Sequence, residues 1–254
     1  EEDVAAGNPP VHKTAETISF HRVAVNSPDG TPLIRDLTFS VPVGSPVIVM
    51  GPNGSGKSSM FRCLAGLWPH QAGIVTRSPA GSMFYLSQRP YLVSGSLRDQ
   101  LAYPHPPRAV WNGAKVRERN AFPGNPQRPS NEMDDKLFAC LEAVELGYLL
   151  ARYENGWDTI INWQEVLSGG EKQRLAMARL LYHHPQYAIL DECTSAVSAD
   201  GEVKLYQAVK EAGITALSIA HRPKLRSFHT HAIIFEGLSA ENSKGWRLEK
   251  VVHS

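Results

Sequence analysis

The pattern of apolar and polar positions predicts strands that alternate with helices along most of the chain. Short apolar runs between turn residues predict strands, and apolar residues recurring every three or four positions predict helices. The predicted strands are Ile18–Val25, Leu33–Val41, Val47–Met50, Met83–Leu86, Tyr187–Leu190, Ile214–Ala220, Ala232–Phe235 and Trp246–Val251. The predicted helices are Ser58–Trp68, Lys136–Val144, Gly170–His183 and Glu202–Ala212. Such alternation is typical of an α/β fold with a mostly parallel sheet.

Two stretches lack this periodicity. Glu1–Thr14 is polar and contains glycine and prolines, so we predict a linker there and a single large domain over residues 15–254. His105–Asn131 is rich in Pro, Asn and Arg, which predicts a surface loop without a functional assignment.

Composition and charge exclude several classes of protein. Of the 254 residues, 42% are hydrophobic and 20% charged, as in ordinary globular domains, and the net charge of +1 does not favour a nucleic-acid partner. The three cysteines have no disulfide or metal spacing, which indicates reduced thiols in a cytosol-like compartment. We find no apolar run long enough to cross a bilayer and no signal-peptide pattern. Since the chain begins with Glu1, we expect an excised domain, soluble alone, of a longer protein.

A glycine-rich loop between a predicted strand and a predicted helix has the spacing GxxxxGK[ST] of phosphate-binding loops. Its residues are Gly51, Pro52, Asn53, Gly54, Ser55, Gly56, Lys57 and Ser58, and Ser59 follows as a further expected nucleotide contact. Glycines let backbone amides approach a phosphate, and the helix dipole favours the anion. We expect Lys57 to reach the β- and γ-phosphates and Ser58 to bind Mg²⁺. The alternative, a flexible glycine turn, does not explain the flanking strand and helix.

Two acids, Asp191 and Glu192, follow the predicted strand Tyr187–Leu190. The carboxyl end of a parallel strand faces the ligand crevice of such a sheet. Asp191 suits Mg²⁺, and Glu192 suits the general base that orients the attacking water. Two acids after a strand are weak evidence alone, because surface charge would also explain them, but they gain weight beside the phosphate-binding loop.

The stretch Leu167–Arg174 precedes a strong helix. Ser168 and Glu171 have the spacing of a capping box, so a purely structural helix start explains part of it. The adjacent Gly169 and Gly170 cost helix stability and leave a bare N-terminus. Together with Ser168 they suit a second anion site.

These three motifs, in this order, resemble the nucleotide-binding domains of ABC ATPases over Ile18–Val251. The resemblance implies a P-loop NTPase of ABC type. The resemblance implies that this domain has a RecA-like core with a parallel sheet and antiparallel strands, and a small helical subdomain at about residues 98–167. It also places Gln88 at the position that touches Mg²⁺ or water and senses the membrane domain. His221 falls at the position that holds the γ-phosphate and orients Glu192.

Further segments are similar to the D subfamily, the peroxisomal acyl-CoA and fatty-acid half-transporters with a lysosomal cobalamin member. These segments are Gly66–Pro69, Phe84–Tyr91, Gly95–Gln100, Val166–Arg174, Asp191–Ser198 and His221–Pro223. The resemblance implies ATP hydrolysis, with ATP and Mg²⁺, that moves a lipidic substrate such as very-long-chain fatty acid or acyl-CoA. It implies a place on the cytosolic face of an organelle membrane, the peroxisomal one by this subfamily. The implied partners are transmembrane domains and a second nucleotide-binding domain, identical or not, packed head-to-tail.

Three alternatives remain open. A cobalamin-type member of the same subfamily would share these motifs. A soluble ABC ATPase acting on nucleic acid or ribosomes usually has a coiled-coil insertion or a tandem motor, and the sequence has neither. A regulatory module without turnover is disfavoured by the full set of expected active-site residues, which are Lys57, Gln88, Asp191, Glu192 and His221.

The sequence departs from general ABC domains at two points. Val25–Pro28 has no aromatic residue where one usually stacks on adenine. Ser198 stands where the loop after the catalytic acid usually ends in Asp, with Asp200 two residues later, and the D subfamily shares this second departure.

The missing aromatic residue leads to the first prediction. Because no aromatic ring at Val25–Pro28 can stack on the base, ATP and GTP should compete almost equally for the site. A competition assay of nucleotide binding measures this. A strong preference for ATP would show that an aromatic residue from elsewhere holds adenine.

Overall fold

The computed structural model of the chain describes residues 11–104, 132–239 and 242–252. The predicted loop His105–Asn131 lies outside the described residues, as do the first ten residues of the predicted linker. The chain forms two compact units. Among the described residues, the first is built from residues 11–85, 185–192, 213–239 and 242–252, and the second from residues 86–104, 132–184 and 193–212.

The strands of the described residues follow one another as β1 to β10. They are β1 (Val11–Thr14), β2 (Ile18–Asn26), β3 (Pro32–Val41), β4 (Val47–Met50), β5 (Ala72–Arg77), β6 (Met83–Leu86), β7 (Tyr187–Asp191), β8 (Thr215–Ile219), β9 (His231–Phe235) and β10 (Trp246–Lys250). Within the described ranges they form a four-stranded sheet of order β1-β5-β2-β3 and a six-stranded sheet of order β10-β9-β4-β8-β7-β6.

The six-stranded sheet carries the phosphate-binding loop and the two acids. Strands β9, β4, β8 and β7 are parallel, and β10 is antiparallel to β9. Every residue of β7 and β8 is buried, as expected for a parallel sheet covered on both faces. The predicted parallel sheet with antiparallel strands is therefore confirmed, and β4, β7 and β8 all deliver their carboxyl ends to one edge.

One apolar core joins the two sheets of the first unit to helix α1 (Lys57–Ala65). Its largest fully buried side chains include Phe20, Phe61, Tyr187 and Phe235. The Tyr187 hydroxyl, buried in this core, donates to the backbone oxygens of Val41 at 2.9 Å and Glu16 at 3.2 Å.

The second unit is mainly helical. Its helices in the described residues are α2 (Leu97–Ala102), α3 (Glu132–Ala143), α4 (Tyr148–Arg152), α5 (Trp163–Val166), α6 (Gly169–His183) and α7 (Ala199–Glu211). Buried side chains from α5 and α6 hold α2 and the segment before it. Trp163 donates to the Gly95 oxygen at 2.9 Å, and Arg179 donates to the oxygens of Tyr91 at 2.9 Å and Gln100 at 2.6 Å. The predicted subdomain at residues 98–167 lies inside this unit, and its limits stay a proposal.

Several predicted boundaries need correction. Val11–Thr14, assigned to a linker, form β1 parallel to β5, a pairing with distant residues that composition cannot show. Helix α1 ends at Ala65 rather than Trp68, because Gly66 adopts a left-handed conformation and donates to the oxygens of Arg62 and Cys63. The short elements β5, α2, α4 and α5 were not predicted, since four to six residues give too little periodicity.

None of the helices in the described residues combines the length and apolar character needed to cross a membrane.

The contact between the phosphate-binding loop and β9 leads to the second prediction. Gly51 has φ +142°, and a Cβ atom there would lie 2.3 Å from the Phe235 oxygen. Gly54 has φ +79° with nothing within 4 Å of its Cβ position. Gly51→Ala should therefore lower the free energy of unfolding by about 1–3 kcal/mol more than Gly54→Ala.

Denaturant unfolding of both variants measures this difference. Gly54→Ala controls for adding a Cβ atom at a positive φ, and the excess loss at Gly51 combines the clash with Phe235 and the strain of its larger φ. If Gly51→Ala and Gly54→Ala lowered the free energy of unfolding equally, a steric role for the Phe235 backbone would be contradicted.

Candidate functional site

The loop between β4 and α1 presents backbone amides that no side chain caps. Its glycines Gly51, Gly54 and Gly56 all have positive φ. Gly56, the N-cap of α1, has φ 98° and offers no side-chain cap, and the first turn of α1 contains no acidic residue. The first amides of α1 thus keep their affinity for an external anion, and the helix dipole adds to it.

Lys57 folds across this loop. Its ammonium donates to the backbone oxygens of Gly51 at 2.9 Å and Pro52 at 2.8 Å, and the residue is only 5% exposed. Burial lowers the pKa of Lys57, whereas the charges of Glu192 and Asp191 act to raise it. A buried cation held by two carbonyl oxygens is suited to exchange them for phosphate oxygens.

Asp191 is the last residue of β7 and is 8% exposed. Its carboxylate accepts two hydrogen bonds, one on each oxygen. Ser58 donates to Oδ1 at 2.9 Å, and the Tyr85 hydroxyl donates to Oδ2 at 2.7 Å. Sequence reasoning had assigned Asp191 and Ser58 to one metal site but had not assigned Tyr85 a role.

The oxygen pair of Ser58 and Asp191 fits Mg²⁺. Two neighbouring ligands of an octahedral Mg²⁺ lie about 2.9 Å apart, since each bond is about 2.0–2.1 Å long. The Ser58 Oγ and Asp191 Oδ1 atoms are 2.9 Å apart. Hydroxyl and carboxylate oxygens beside a phosphate-binding loop are the donors that Mg²⁺ takes together with phosphate oxygens.

Glu192 occupies a strained backbone position directly after β7. Its φ is 51°, and its amide donates to the Ile219 oxygen at 3.1 Å. A left-handed conformation of a non-glycine residue costs about 1–3 kcal/mol and recurs at functional sites. The Glu192 carboxylate, 24% exposed, lies 2.9 Å from Nε2 of His221. The structure therefore brings together the predicted base and the histidine expected to orient it.

The start of α6, in the second unit, has the predicted capping box. The Ser168 hydroxyl accepts from the Glu171 amide at 3.2 Å, and the Glu171 carboxylate accepts from the Ser168 amide at 2.7 Å. Glu171 also accepts from Tyr148. A Cβ at Gly170 would lie 3.0 Å from the Ala196 oxygen, whereas one at Gly169 would meet only the Ala196 side chain at 3.4 Å. Close packing against Ala196 thus explains Gly170, and Gly169 leaves the N-terminus open.

Gln173 connects three segments of the second unit and had no predicted role. Its side-chain amide nitrogen lies 3.1 Å from both the Gln88 oxygen and the Ser195 hydroxyl. Its side-chain oxygen accepts from the Ala196 amide at 2.7 Å. Gln173 is 4% exposed, so these bonds are buried and fix the backbone on either side of α6. The sequence signal was its place in the extended motif at Leu167–Arg174.

The predicted site residues therefore divide between the units. The loop residues 51–59, Asp191, Glu192 and His221 belong to the first unit, and Gln88 and Ser168–Gly170 belong to the second. The individual roles predicted for all of them stay predictions.

The comparisons with known proteins agree with the motifs. The family described as "ABC transporter" matches residues 34–195. Human "ATP-binding cassette sub-family D member 3" is 45% identical over 87% of this chain, which covers 31% of that protein. Dictyostelium discoideum "ABC transporter D family member 2" is 42% identical over 93% of this chain, which covers 29% of it. The chain thus spans about a third of the length of these relatives.

A solved structure shows the same fold. "Structure of a bacterial Atm1-family ABC exporter with ATP bound" matches with a TM-score of 0.67 over 92% of this chain and 39% of that one. At 23% identity the likeness supports the fold alone.

The Glu192–His221 pair leads to the third prediction. If Glu192 is the general base, Glu192→Gln should lower ATP turnover by roughly 10²–10⁴ and leave ATP binding intact, because shape survives while the proton acceptor is lost. Phosphate release and nucleotide binding measure the two effects. Glu211→Gln, on the exposed side of α7, is the matched control. A Glu192→Gln chain with normal turnover would exclude this role.

Proposed function

Because the chain belongs to the ABC transporter family, we propose that it binds ATP with Mg²⁺ and hydrolyses the terminal phosphate to drive transport. The observation that carries the proposal is the convergence at one sheet edge of a buried cation, two acids and a histidine. Lys57 folds over the loop, Ser58 and Asp191 pair, and Glu192 meets His221.

Each of these groups has a role in phosphoryl transfer, where catalysis consists mostly of positioning and electrostatic stabilisation. Lys57 and the loop amides bind the β- and γ-phosphates. Ser58 and Asp191 hold Mg²⁺, which neutralises phosphate charge when bound. Glu192 orients the attacking water and accepts its proton, and His221 keeps the Glu192 carboxylate turned toward the crevice.

The strained backbone of Glu192 supports this assignment. A residue with φ 51° is held there only when its surroundings compensate for the cost. The bond from its amide to the Ile219 oxygen ties it to β8, the strand that leads to His221. Backbone bonds to β8 therefore position both the proposed base and the histidine.

We further propose that the site is completed by a second nucleotide-binding domain in a head-to-tail pair, identical or different. At the start of α6 the capping box bonds the amides of Ser168 and Glu171, and Gly169 between them has no bulky neighbour. Such an N-terminus attracts an anion, and the partner's γ-phosphate would be that anion. Gln88 would link the site to transmembrane domains.

The cargo and location follow from the D-subfamily likeness. The relatives matched at 40–45% identity carry subfamily D names. We propose a lipidic substrate, such as a very-long-chain fatty acid or acyl-CoA, and a place on the cytosolic face of the peroxisomal membrane. Transport by the full-length protein in vesicles, with these substrates and cobalamin compared, would test this assignment.

The paired arrangement leads to the fourth prediction. Phosphate release per molecule should rise with protein concentration, because separate domains lack the effective concentration that tethering provides. Lys57→Ala and Gly169→Asp should each be inactive alone and regain activity when mixed. In the mixed pair, one of the two sites then has both an intact Lys57 from one domain and an unaltered Ser168–Gly170 segment from the other.

Gly169→Asp suits this test because its Cβ has space and an acid in the first turn favours the helix. Gly169→Ala is the control for bulk without charge. No phosphate release by the unaltered chain at any concentration would contradict ATP hydrolysis. Constant specific activity on dilution, without rescue on mixing, would contradict the shared site.

A further inference from the structure

Strand β6 places an aromatic hydroxyl beside the proposed metal site. β6 neighbours β7 at the end of the six-stranded sheet. Tyr85 and Met83, two residues apart on β6, both pack against the apolar core, and Tyr187 and Ile189 of β7 belong to that core. Since side chains alternate along a strand, Asp191 points to the same face as Tyr187 and Ile189. Tyr85 and Asp191 therefore lie on one face of adjacent strands.

The contact between Tyr85 and Asp191 is selective for one carboxylate oxygen. The Tyr85 hydroxyl donates to Oδ2 at 2.7 Å, whereas Ser58 donates to Oδ1 at 2.9 Å. The packed ring gives the hydroxyl a fixed position, and a hydrogen bond to a charged acceptor is among the stronger kinds. Rotation of the carboxylate to exchange its two oxygens would have to break this hydrogen bond.

We propose that Tyr85 is a positioning residue for Asp191. It holds Oδ2 so that Oδ1 remains directed at Ser58 and at Mg²⁺ when the ion is bound. This inference rests on the proposed Mg²⁺–ATP site and adds a residue to it. With Mg²⁺ bound, Ser58 and Asp191 Oδ1 would hold the ion, and the bond from Tyr85 would still hold Oδ2 on the other side of the carboxylate.

The variant Tyr85→Phe tests the inference, because it keeps the ring in the core and removes only the hydroxyl. The free Mg²⁺ concentration that half-saturates Mg²⁺-dependent nucleotide binding should rise about tenfold. ATP turnover should fall by a similar factor, and nucleotide binding in EDTA should stay within about twofold of that of the unaltered chain.

Tyr187→Phe is the matched control. It removes a hydroxyl from β7, the strand that ends at Asp191, but that hydroxyl is directed to the backbone oxygens of Val41 and Glu16. Tyr187→Phe should lower thermal stability and leave the Mg²⁺ dependence of nucleotide binding unchanged. If Tyr187→Phe changed the Mg²⁺ dependence of nucleotide binding as much as Tyr85→Phe does, the inference would be overturned. The loss of any buried tyrosine hydroxyl near β7 would then produce the same effect.

A double variant tests whether Tyr85 acts through Asp191. Asp191→Asn should weaken Mg²⁺-dependent nucleotide binding, and adding Tyr85→Phe should weaken it no further. If the double variant instead weakens Mg²⁺-dependent nucleotide binding by the product of the two single-variant factors, Tyr85 acts independently of Asp191 and the inference is wrong.

Phosphate release by the unaltered chain tests the proposed function separately. Equal Mg²⁺ dependence of nucleotide binding in Tyr85→Phe and the unaltered chain would overturn the role of Tyr85, even with normal ATP hydrolysis.

Discussion

The site depends on the register of three parallel strands. Val49 of β4 pairs with Ile219 of β8, and Ile219 pairs with Asp191 of β7, so these three residues form one row across the sheet. Gly51 lies two residues after this row on the chain leaving β4, and His221 lies two residues after it on the chain leaving β8. Glu192 lies one residue after the row on the chain leaving β7. A slip of one residue in any pairing would turn the side chains of that strand to the opposite face. The fully buried residues of β7 and β8 oppose such a slip, so core packing sets the geometry of the chemistry.

Close packing and strain at this edge keep the site ready for an anion. The loop passes so near β9 that only glycine fits at position 51. Glu192 holds a left-handed backbone, and Lys57 is buried with loop carbonyls as its hydrogen-bond partners. Each feature costs folding free energy, which the apolar core of the first unit has to offset. Groups held in place before the nucleotide binds need little reorganisation, which is the basis of electrostatic catalysis.

The sequence correctly predicts those elements whose pattern is contained within a few consecutive residues. The strands Val47–Met50 and Met83–Leu86 have the predicted bounds, because short apolar runs between turn residues define them. The capping box at Ser168 is also a local pattern, and the structure confirms it. By contrast, β1 exists only through its pairing with β5, and Gln173 acquires its contacts from segments far away in sequence. Tyr85 stands in a segment matched to a subfamily, but its bond to Asp191 spans 106 residues, and no periodicity signals such a contact.

The two adjacent carboxylates of Asp191 and Glu192 have different surroundings because the strand ends between them. Asp191 still belongs to β7, so it is 8% exposed and receives donors from α1 and β6 on its two oxygens. A carboxylate fixed in this way is a rigid oxygen ligand. Glu192, one residue later, would point to the opposite face if the strand continued. The turn to φ 51° redirects it, and its carboxylate, 24% exposed, meets His221. It remains accessible to water, as a base must be. The left-handed residue thus explains how one Asp-Glu pair can present both the proposed metal ligand and the proposed base at a single strand end.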